Sequence, residues 1–157
     1  MSTPEEASPE SRVVSASRDV AAPAAAIFEL IADPAQQPRW DGNDNLLEAA
    51  EGQRVHAVGD VFTMGLTGGR SNENHVVEFE EGRLIAWKPS PTGEPAPGHL
   101  WRWELEPLGE ASTRVTHTYD WSGLGPGQEK RMVRARATTS DKLQASVDRL
   151  AGVAEAG

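Results

Sequence analysis

Two stretches of the chain, residues 99–105 and 115–121, alternate between large and polar side chains, a period that predicts two β-strands. The odd positions include Trp101, Trp103, His117 and Tyr119. Polar residues hold the even positions, namely Arg102, Glu104, Thr116, Thr118 and Asp120. A hairpin through residues 107–111 that pairs Leu105 with Val115 sets Trp103 opposite His117 and Trp101 opposite Tyr119. These rings, with Trp121, would share one face of the sheet.

This ring face is open to two interpretations. It could be an ordinary core face, in which each ring packs against apolar neighbours. The alternative is the wall of a cavity, because buried Trp and Tyr need polar partners that a dry core supplies poorly. The clustering of four N–H or O–H bearing rings on one face favours the cavity.

The first part of the chain predicts a strand over residues 12–20 and then a short helix that opens at Ala22 and Pro23. Apolar residues recur at helical spacing at Ala26, Ile27, Leu30 and Ile31, and the Asp33-Pro34 pair ends the helix. Residues 36–42, which include Trp40, are predicted as irregular chain or a second short helix.

From residue 46 the pattern predicts an antiparallel meander with strands at 46–50, 60–67, 72–80, 83–88, 99–106 and 113–121. A three-residue loop with Gly82 in the left-handed conformation pairs Phe79 with Arg83, Val77 with Ile85 and His75 with Trp87. That register points His75, Val77, Phe79, Ile85 and Trp87 inward. Residues 89–98 contain four prolines and two glycines and are predicted as a loop outside the sheet, either a lid or a disordered segment.

The C-terminal part predicts one long helix over residues 128–154. Its helical stripe consists of Met132, Arg136, Thr139, Leu143, Val147 and Leu150. Because its polar members, Arg136 and Thr139, lie in the first half, the stripe indicates a cavity under that end. The alternative is that Arg136 reaches solvent with its stem packed against the protein.

Several short segments carry a resemblance to a known family. They are residues 17–23 (SRDVAAP), 27–28 (IF), 31–34 (IADP), 38–41 (PRWD), 59–60 (GD), 76–79 (VVEF), 84–87 (LIAW), 103–107 (WELEP) and 112–117 (STRVTH). With the order of elements, they resemble the helix-grip fold of the START and birch-pollen-allergen superfamily, and more narrowly the polyketide cyclase/dehydrase and lipid-transport family, often labelled SRPBCC. Residues 1–11 are expected to be a disordered leader and residues 12–157 a single domain.

The resemblance implies an α+β fold in which a seven-stranded antiparallel sheet curls around a long C-terminal helix, with two short helices after the first strand. Family members enclose a mostly apolar cavity and bind lipids, sterols, polyketides or aromatic metabolites. The candidate ligand-binding residues are Trp40, Met64, His75, Trp87, Trp101, Trp103, His117, Tyr119, Met132, Arg136 and Thr139. If the protein is an enzyme, His117, Tyr119 and Arg136 are the candidate catalytic residues, with His75 as a further acid-base candidate.

Composition narrows the function classes. The formal net charge of −9 argues against nucleic acid and anionic membranes as partners. The chain has no Cys, and its four histidines show no paired metal-ligand spacing, so we expect no metal and no cofactor. No apolar run approaches the length of a membrane span. The N-terminus lacks the features of a secretion signal, so a cytoplasmic protein is expected. The expected assembly is a monomer or a homodimer.

Three functions remain as hypotheses. The first is a protein that binds or carries a small hydrophobic or aromatic ligand, lipid-like or polyketide-like. The second is a polyketide-type cyclase or dehydratase that uses the His, Tyr and Arg side chains as acids and bases, although no buried carboxylate partner is evident beyond Asp41 or Asp44. The third is an interaction module, since a related branch of the fold stimulates the Hsp90 chaperone. It predicts a cavity that is packed shut.

Overall fold

The computed structural model describes residues 11–41 and 46–156. Its centre is a seven-stranded antiparallel sheet in which strands two to seven form a meander and the first strand joins the far edge, in the order β1-β7-β6-β5-β4-β3-β2. The strands are β1 (Val13–Val20), β2 (Leu46–Glu48), β3 (Val61–Leu66), β4 (Ser71–Glu80), β5 (Leu84–Pro91), β6 (Leu100–Gly109) and β7 (Ser112–Asp120). The predicted helix-grip architecture is thereby confirmed, while residues 1–10 of the predicted leader lie outside the described residues.

Two short helices follow β1, as predicted. Helix α1 (Ala24–Ala32) begins after Pro23, whose fixed φ suits a helix start, and buries Ile27, Phe28 and Ile31. Asp33 ends α1 and accepts a hydrogen bond from the amide of Ala35, which caps a 3-10 helix (Pro34–Arg39). Trp40 follows directly and is anchored through its indole Nε1, which donates to the carbonyl of Leu30 at 2.7 Å.

The hairpin of β6 and β7 has the predicted register. Leu105 pairs with Val115, Trp103 with His117 and Trp101 with Tyr119. The expected loop at 107–111 is shorter, because the strands continue to Gly109 and Ser112 with an irregularity between Pro107 and Gly109.

The register between β4 and β5 differs from the prediction. Gly82 has the expected positive φ, but Phe79 pairs with Ile85, and a β-bulge lies between Val76 and Glu78. A bulge adds one residue to a strand and so exchanges the faces that the residues beyond it occupy. Val76 is therefore inside, with 2% of its surface exposed, whereas Val77, predicted inward, is 37% exposed.

The proline-rich segment also differs from the prediction, because its first three residues belong to the sheet. Strand β5 continues to Pro91, and Asn74 pairs with Pro89. Beyond Trp87, β5 has no pairing with β6, and proline is tolerated where one neighbouring strand is missing. Further on, Gly98 lies so close to Gly123 that a Cβ on either residue would collide with the backbone of the other.

The predicted single C-terminal helix is two helices, α2 (Glu129–Ala137) and α3 (Ser140–Ala156). The break falls at Thr138, which has an extended conformation and whose Oγ1 donates to the carbonyl of Arg134 at 3.0 Å. A hydroxyl group that bonds the preceding turn competes with the helical backbone, and β-branching disfavours the helix further. Helix α3 buries Leu143, Val147 and Leu150 as predicted.

Candidate functional site

A cavity of about 850 Å³ lies between the inner face of the sheet and helices α2 and α3. Strands β3 to β7 contribute one wall, and the 3-10 helix contributes Gln37, with Trp40 directly after it. The opposite wall comes from α2, the break at Thr138 and the first turns of α3, including Ala145 and Ser146. The volume is in the range of pockets that enclose small-molecule ligands.

The central wall is a stack of rings on β6 and β7. The imidazole of His117 lies 3.7 Å from the ring of Trp103 and 5.4 Å from that of Trp101, at an interplanar angle of 14° in both cases. Tyr119 continues the stack, with its ring centroid 4.3 Å from that of Trp101. The stack follows directly from the register of the hairpin, since the four residues occupy neighbouring positions on one face.

His117 is a neutral group in this stack. Burial lowers the pKa of His117 to about 3, against a smaller opposing effect of its hydrogen bond to the Arg102 carbonyl. Its Nδ1 donates to that carbonyl at 3.1 Å, which assigns the proton to Nδ1 and leaves a lone pair on Nε2. Within the described part of the chain, Nε2 has no hydrogen-bond partner, so it can accept one from a ligand.

Trp103 carries a buried donor in this wall. Its ring is fully buried and meets the ring of Trp40 edge-on at 5.0 Å, and its Nε1 has no hydrogen-bond partner among the described residues. A buried donor without a partner costs about 1–3 kcal/mol, so such groups are rare in folded proteins. The residue lines the cavity, but the Nε1 atom itself is not accessible, so a ligand reaches this donor only after the side chain shifts.

His99 and Tyr119 mark one end of the cavity, where their ring centroids lie 6.0 Å apart. Burial lowers the pKa of His99 to about 4, and the charges of Arg131 and Arg134 lower it further. Burial also raises the pKa of Tyr119 to about 12, partly offset by Arg134. Both side chains are therefore neutral near pH 7 and can form hydrogen bonds without carrying charge.

The rim beside these two rings is basic. Arg131, Arg134 and Lys142 line it together with one carboxylate, Asp141. Arg131 and Arg134 are on α2, three residues apart and so on one face of that helix.

Seven of the eleven predicted ligand-binding residues line the cavity. They are Trp40, Met64, Trp87, Trp101, Trp103, His117 and Tyr119. Of the three predicted catalytic residues, His117 and Tyr119 are in this set. Asp41, considered as a carboxylate partner, also lines the cavity, while Asp44 lies outside the described residues. In the described ranges, neither His99 nor His117 has a hydrogen bond to a carboxylate.

Four predicted residues lie elsewhere. The bulge in β4 turns His75 to the outer face, where its Nε2 shares a hydrogen bond of 3.0 Å with Ser90. The break in the C-terminal helix moves the predicted stripe away from the cavity. As a result Met132 packs near Trp121, Arg136 lies over the Trp121 ring at 5.5 Å, and Thr139 is exposed.

Most of the polar lining was not predicted from the sequence, namely Gln37, Asn72, Asn74, Arg131, Arg134, Lys142 and Ser146. His99 was predicted to point inward but was not among the predicted ligand-binding residues. A signal existed on the helices, since residues 131, 134, 138, 142 and 145 fall within about 80° of one another at 100° per residue. The search for an apolar stripe selected a face of the helix about 140° away instead. No comparable signal existed for Asn72 and Asn74, because the bulge that turns them inward is not visible in the pattern.

Two further properties of the described residues bear on the type of site. Residues 11–41 and 46–156 contain no group of three His, Asp or Glu side chains arranged to hold a metal ion. Over the same ranges, no helix is both long and apolar enough to cross a membrane.

Comparison with known proteins agrees with the fold. The family model described as polyketide cyclase/dehydrase and lipid transport matches residues 11–155. An uncharacterised protein of Mycobacterium tuberculosis, Rv0088, is 35% identical over 115 residues, which cover 71% of this chain and 49% of that protein. The chain thus spans about half the length of this relative.

Two solved structures illustrate the structural likeness. The ZhuI aromatase/cyclase from Streptomyces sp. R1128 superposes with a TM-score of 0.64 at 18% identity, covering 92% of this chain and 93% of that chain. A START superfamily protein from Mycobacterium smegmatis superposes with a TM-score of 0.63 at 16% identity, covering 92% and 97% of the two chains. At these identities the likeness establishes the fold alone.

Proposed function

Because the chain belongs to the polyketide cyclase/dehydrase and lipid transport family, we propose that it binds a small hydrophobic or aromatic ligand between the sheet and helices α2 and α3. The observation that carries this proposal is the cavity of about 850 Å³, whose ring wall includes His117 with an Nε2 that has no hydrogen-bond partner among the described residues. A ligand would fill the cavity and donate a hydrogen bond to His117 Nε2.

The lining favours a flat, mostly apolar molecule. The faces of Trp87, Trp101 and Trp103 offer large rigid surfaces that bury apolar area with little loss of side-chain entropy. Each 100 Å² of apolar surface removed from water contributes about 2.5 kcal/mol. A hydrogen bond to His117 Nε2 would then select ligands that carry a donor, such as a hydroxyl group.

Binding without chemistry fits the electrostatics better than catalysis does. An efficient general acid or base has a pKa near the working pH, whereas the pKa of His117 is lowered to about 3 and that of Tyr119 is raised to about 12. Arg136, the third predicted catalytic residue, lies outside the cavity lining. An open cavity also differs from what the interaction-module hypothesis expects.

A second candidate, ring closure or dehydration of a polyketide-like substrate, is supported by one observation. His117 and Tyr119 bring an acceptor and a phenolic donor into the same cavity, where a carbonyl oxygen could be polarised. In this case the same cavity would hold a linear precursor in a folded shape.

Intact-complex mass spectrometry of the protein purified gently from its native host separates these functions. The proposal expects one small apolar molecule per chain, released chemically unchanged. Recovery of a cyclised or dehydrated product, together with turnover of the linear precursor, would replace binding by catalysis. A protein that remains empty and takes up no hydrophobic molecule from a host extract would contradict both.

A pair of variants tests whether the cavity is the binding site. Ala145 belongs to α3 and lines the cavity. Thr139 lies just before α3, in the connection from α2, and is exposed outside the cavity. We expect Ala145→Phe to fill part of the cavity and weaken binding of the recovered ligand about tenfold or more, while Thr139→Phe leaves affinity unchanged. Fluorescence of the five Trp residues gives the titration. Equal effects of the two substitutions would argue against this site.

A further inference from the structure

The rim of the cavity beside His99 has a charge opposite to that of the protein. The chain carries a formal net charge of −9, yet residues 129–142 contain five basic and only two acidic residues. Three of the five basic residues, Arg131, Arg134 and Lys142, line the cavity. The charge of this segment is thus concentrated where a ligand would enter or end.

The two arginines of the rim differ from those on the sheet. On the sheet, Arg102 pairs with Glu78 at 2.7 Å and Arg114 pairs with Asp19 at 2.9 Å. By contrast, the guanidinium groups of Arg131 and Arg134 make no ion pair within the described residues. Arg131 donates only to the side-chain oxygen of Gln128, at 3.0 Å. Asp141 lies in the same lining, but it is not within 4.0 Å of either guanidinium.

The basic rim is also close to the ring wall. The charges of Arg131 and Arg134 lower the pKa of His99, and Arg134 acts on Tyr119, whose ring contacts Trp101 at 4.3 Å. Both His99 and Tyr119 are neutral near pH 7, so neither compensates the two guanidinium charges. A molecule stacked on Trp101 would therefore end beside two uncompensated positive charges.

We propose that the ligand is an amphipathic acid, with its apolar ring system on Trp101, Trp103 and His117 and one anionic group held by Arg131 and Arg134. This inference rests on the proposed binding function and adds the chemical class of the ligand. A guanidinium group matches carboxylate, sulfonate and phosphate equally well in charge and geometry, so the anionic group is defined by its charge. The rim is partly open to solvent, which reduces the contribution of each pair.

Two dyes with the same apolar body test this class directly. 8-Anilinonaphthalene-1-sulfonate carries one sulfonate, and N-phenyl-1-naphthylamine is the same molecule without it. Both become fluorescent when buried, so each dissociation constant can be measured with the purified protein. We expect the sulfonate dye to bind about tenfold more tightly to the wild type, with an advantage that shrinks as salt is added.

The variants locate the charge effect. Arg131→Gln with Arg134→Gln should weaken binding of the sulfonate dye about tenfold and leave binding of the neutral dye within about twofold. Lys130→Gln removes a positive charge from an exposed position of the same helix that does not line the cavity. It is the single-charge control for the loss of positive charge from α2. Thermal unfolding of each variant verifies that the substitutions leave the fold intact.

The outcomes separate this inference from the proposed function. Equal affinity of the two dyes, with no effect of the arginine substitutions, would overturn the proposal of an acidic ligand but would leave the proposed binding cavity in place. An equal loss of affinity for the sulfonate dye in Lys130→Gln would mean that the effect is general charge attraction. That result would also overturn the proposal of an acidic ligand. If neither dye binds and Ala145→Phe also leaves binding of the recovered ligand unchanged, the proposed binding cavity is contradicted.

Discussion

The same sheet and the same pair of C-terminal helices form two regions that differ sharply in packing. The packed region lies where α1 and the second half of α3 cover the sheet, and its buried members include Val20, Ile27, Ile31, Leu105, Val115, Val147 and Leu150. The cavity region lies under α2 and the first turns of α3, between Trp87, Trp101 and Tyr119. One region is closed and the other holds about 850 Å³ of space.

The difference comes from side-chain shape and from the helix break. Branched aliphatic side chains interdigitate and fill space at the density of organic crystals. Stacked rings such as Trp103 and His117 fill space along the stack, and the cavity lies beside the stack. The break at Thr138 then allows α2 to leave the line of α3, so that no apolar helix face covers those rings. The comparison shows that a cavity here requires both the stacked rings of the sheet and the break between α2 and α3.

The largest expected effect concerns the packed region. Leu150→Ala should lower the free energy of unfolding by about 2–5 kcal/mol, because it removes a fully buried side chain from tightly packed surroundings. Met64→Ala, although equally buried, should cost at least about 1 kcal/mol less, because one side of Met64 already borders the cavity and has few contacts to lose. Urea unfolding measures both. Equal losses would mean that the two regions are packed alike.

An intermediate effect concerns pH and belongs to the cavity region. In the unfolded chain His117 takes up a proton near pH 6.5, whereas in the folded protein its pKa is lowered to about 3. The unfolded state therefore binds more protons below pH 6.5, so stability falls as the pH drops toward 3 and is independent of this group above about pH 7. From pH 7 to pH 5 the loss is roughly 2 kcal/mol, from 1.4 kcal/mol per pH unit below 6.5.

His117→Gln should remove that part of the pH dependence, which unfolding curves at pH 5 and pH 7 would reveal. Leu150→Ala lies in the packed region and should keep the wild-type slope, which makes it the control. His99, whose pKa is lowered to about 4, contributes a similar slope in all three proteins and cancels in the comparison. An unchanged slope in His117→Gln would mean that His117 is not buried as a neutral group.

The smallest effect concerns the loops at the end of the cavity region. Gly123→Ala should lower stability by about 1–2 kcal/mol, because the new Cβ meets the carbonyl group of Gly98 and forces the two loops apart. Gly125→Ala is the matched control, since nothing lies within 4 Å of its Cβ position. Thermal unfolding compares the two. If both variants are equally stable, the close approach of the loops is not a constraint on the fold.

Local pattern accounted for much of the fold. The alternation in residues 99–105 and 115–121 predicted that the rings share one face, because a one-residue slip would turn all of them to the other face. The short loop between the two strands then set the register. The pattern failed at β4, where the bulge at Val77 shifted the faces, and at Thr138, where apolar spacing continued through a helix break. Both failures arise where a single residue changes the phase of the chain.

The candidate site divides in the same way. Residues whose side chains are large and apolar, such as Trp87 and Trp101, could be predicted as lining because rings on the inner face can only meet the core or a cavity. Arg131 and Arg134 share a helical stripe with other lining residues, but a charged stripe usually points to solvent. Only the position of α2 over the sheet identifies this stripe as lining.

By itself, then, the sequence determined the order of strands and helices, the ring wall of β6 and β7, and the absence of thiol chemistry. These properties depend on period, residue type and composition, which are local. The tertiary structure alone decided that His75 faces outward, that α2 separates from α3, and that a basic rim stands over the rings. These depend on the path of the chain at a bulge and a break, and on distances between residues far apart in sequence, which no local pattern contains.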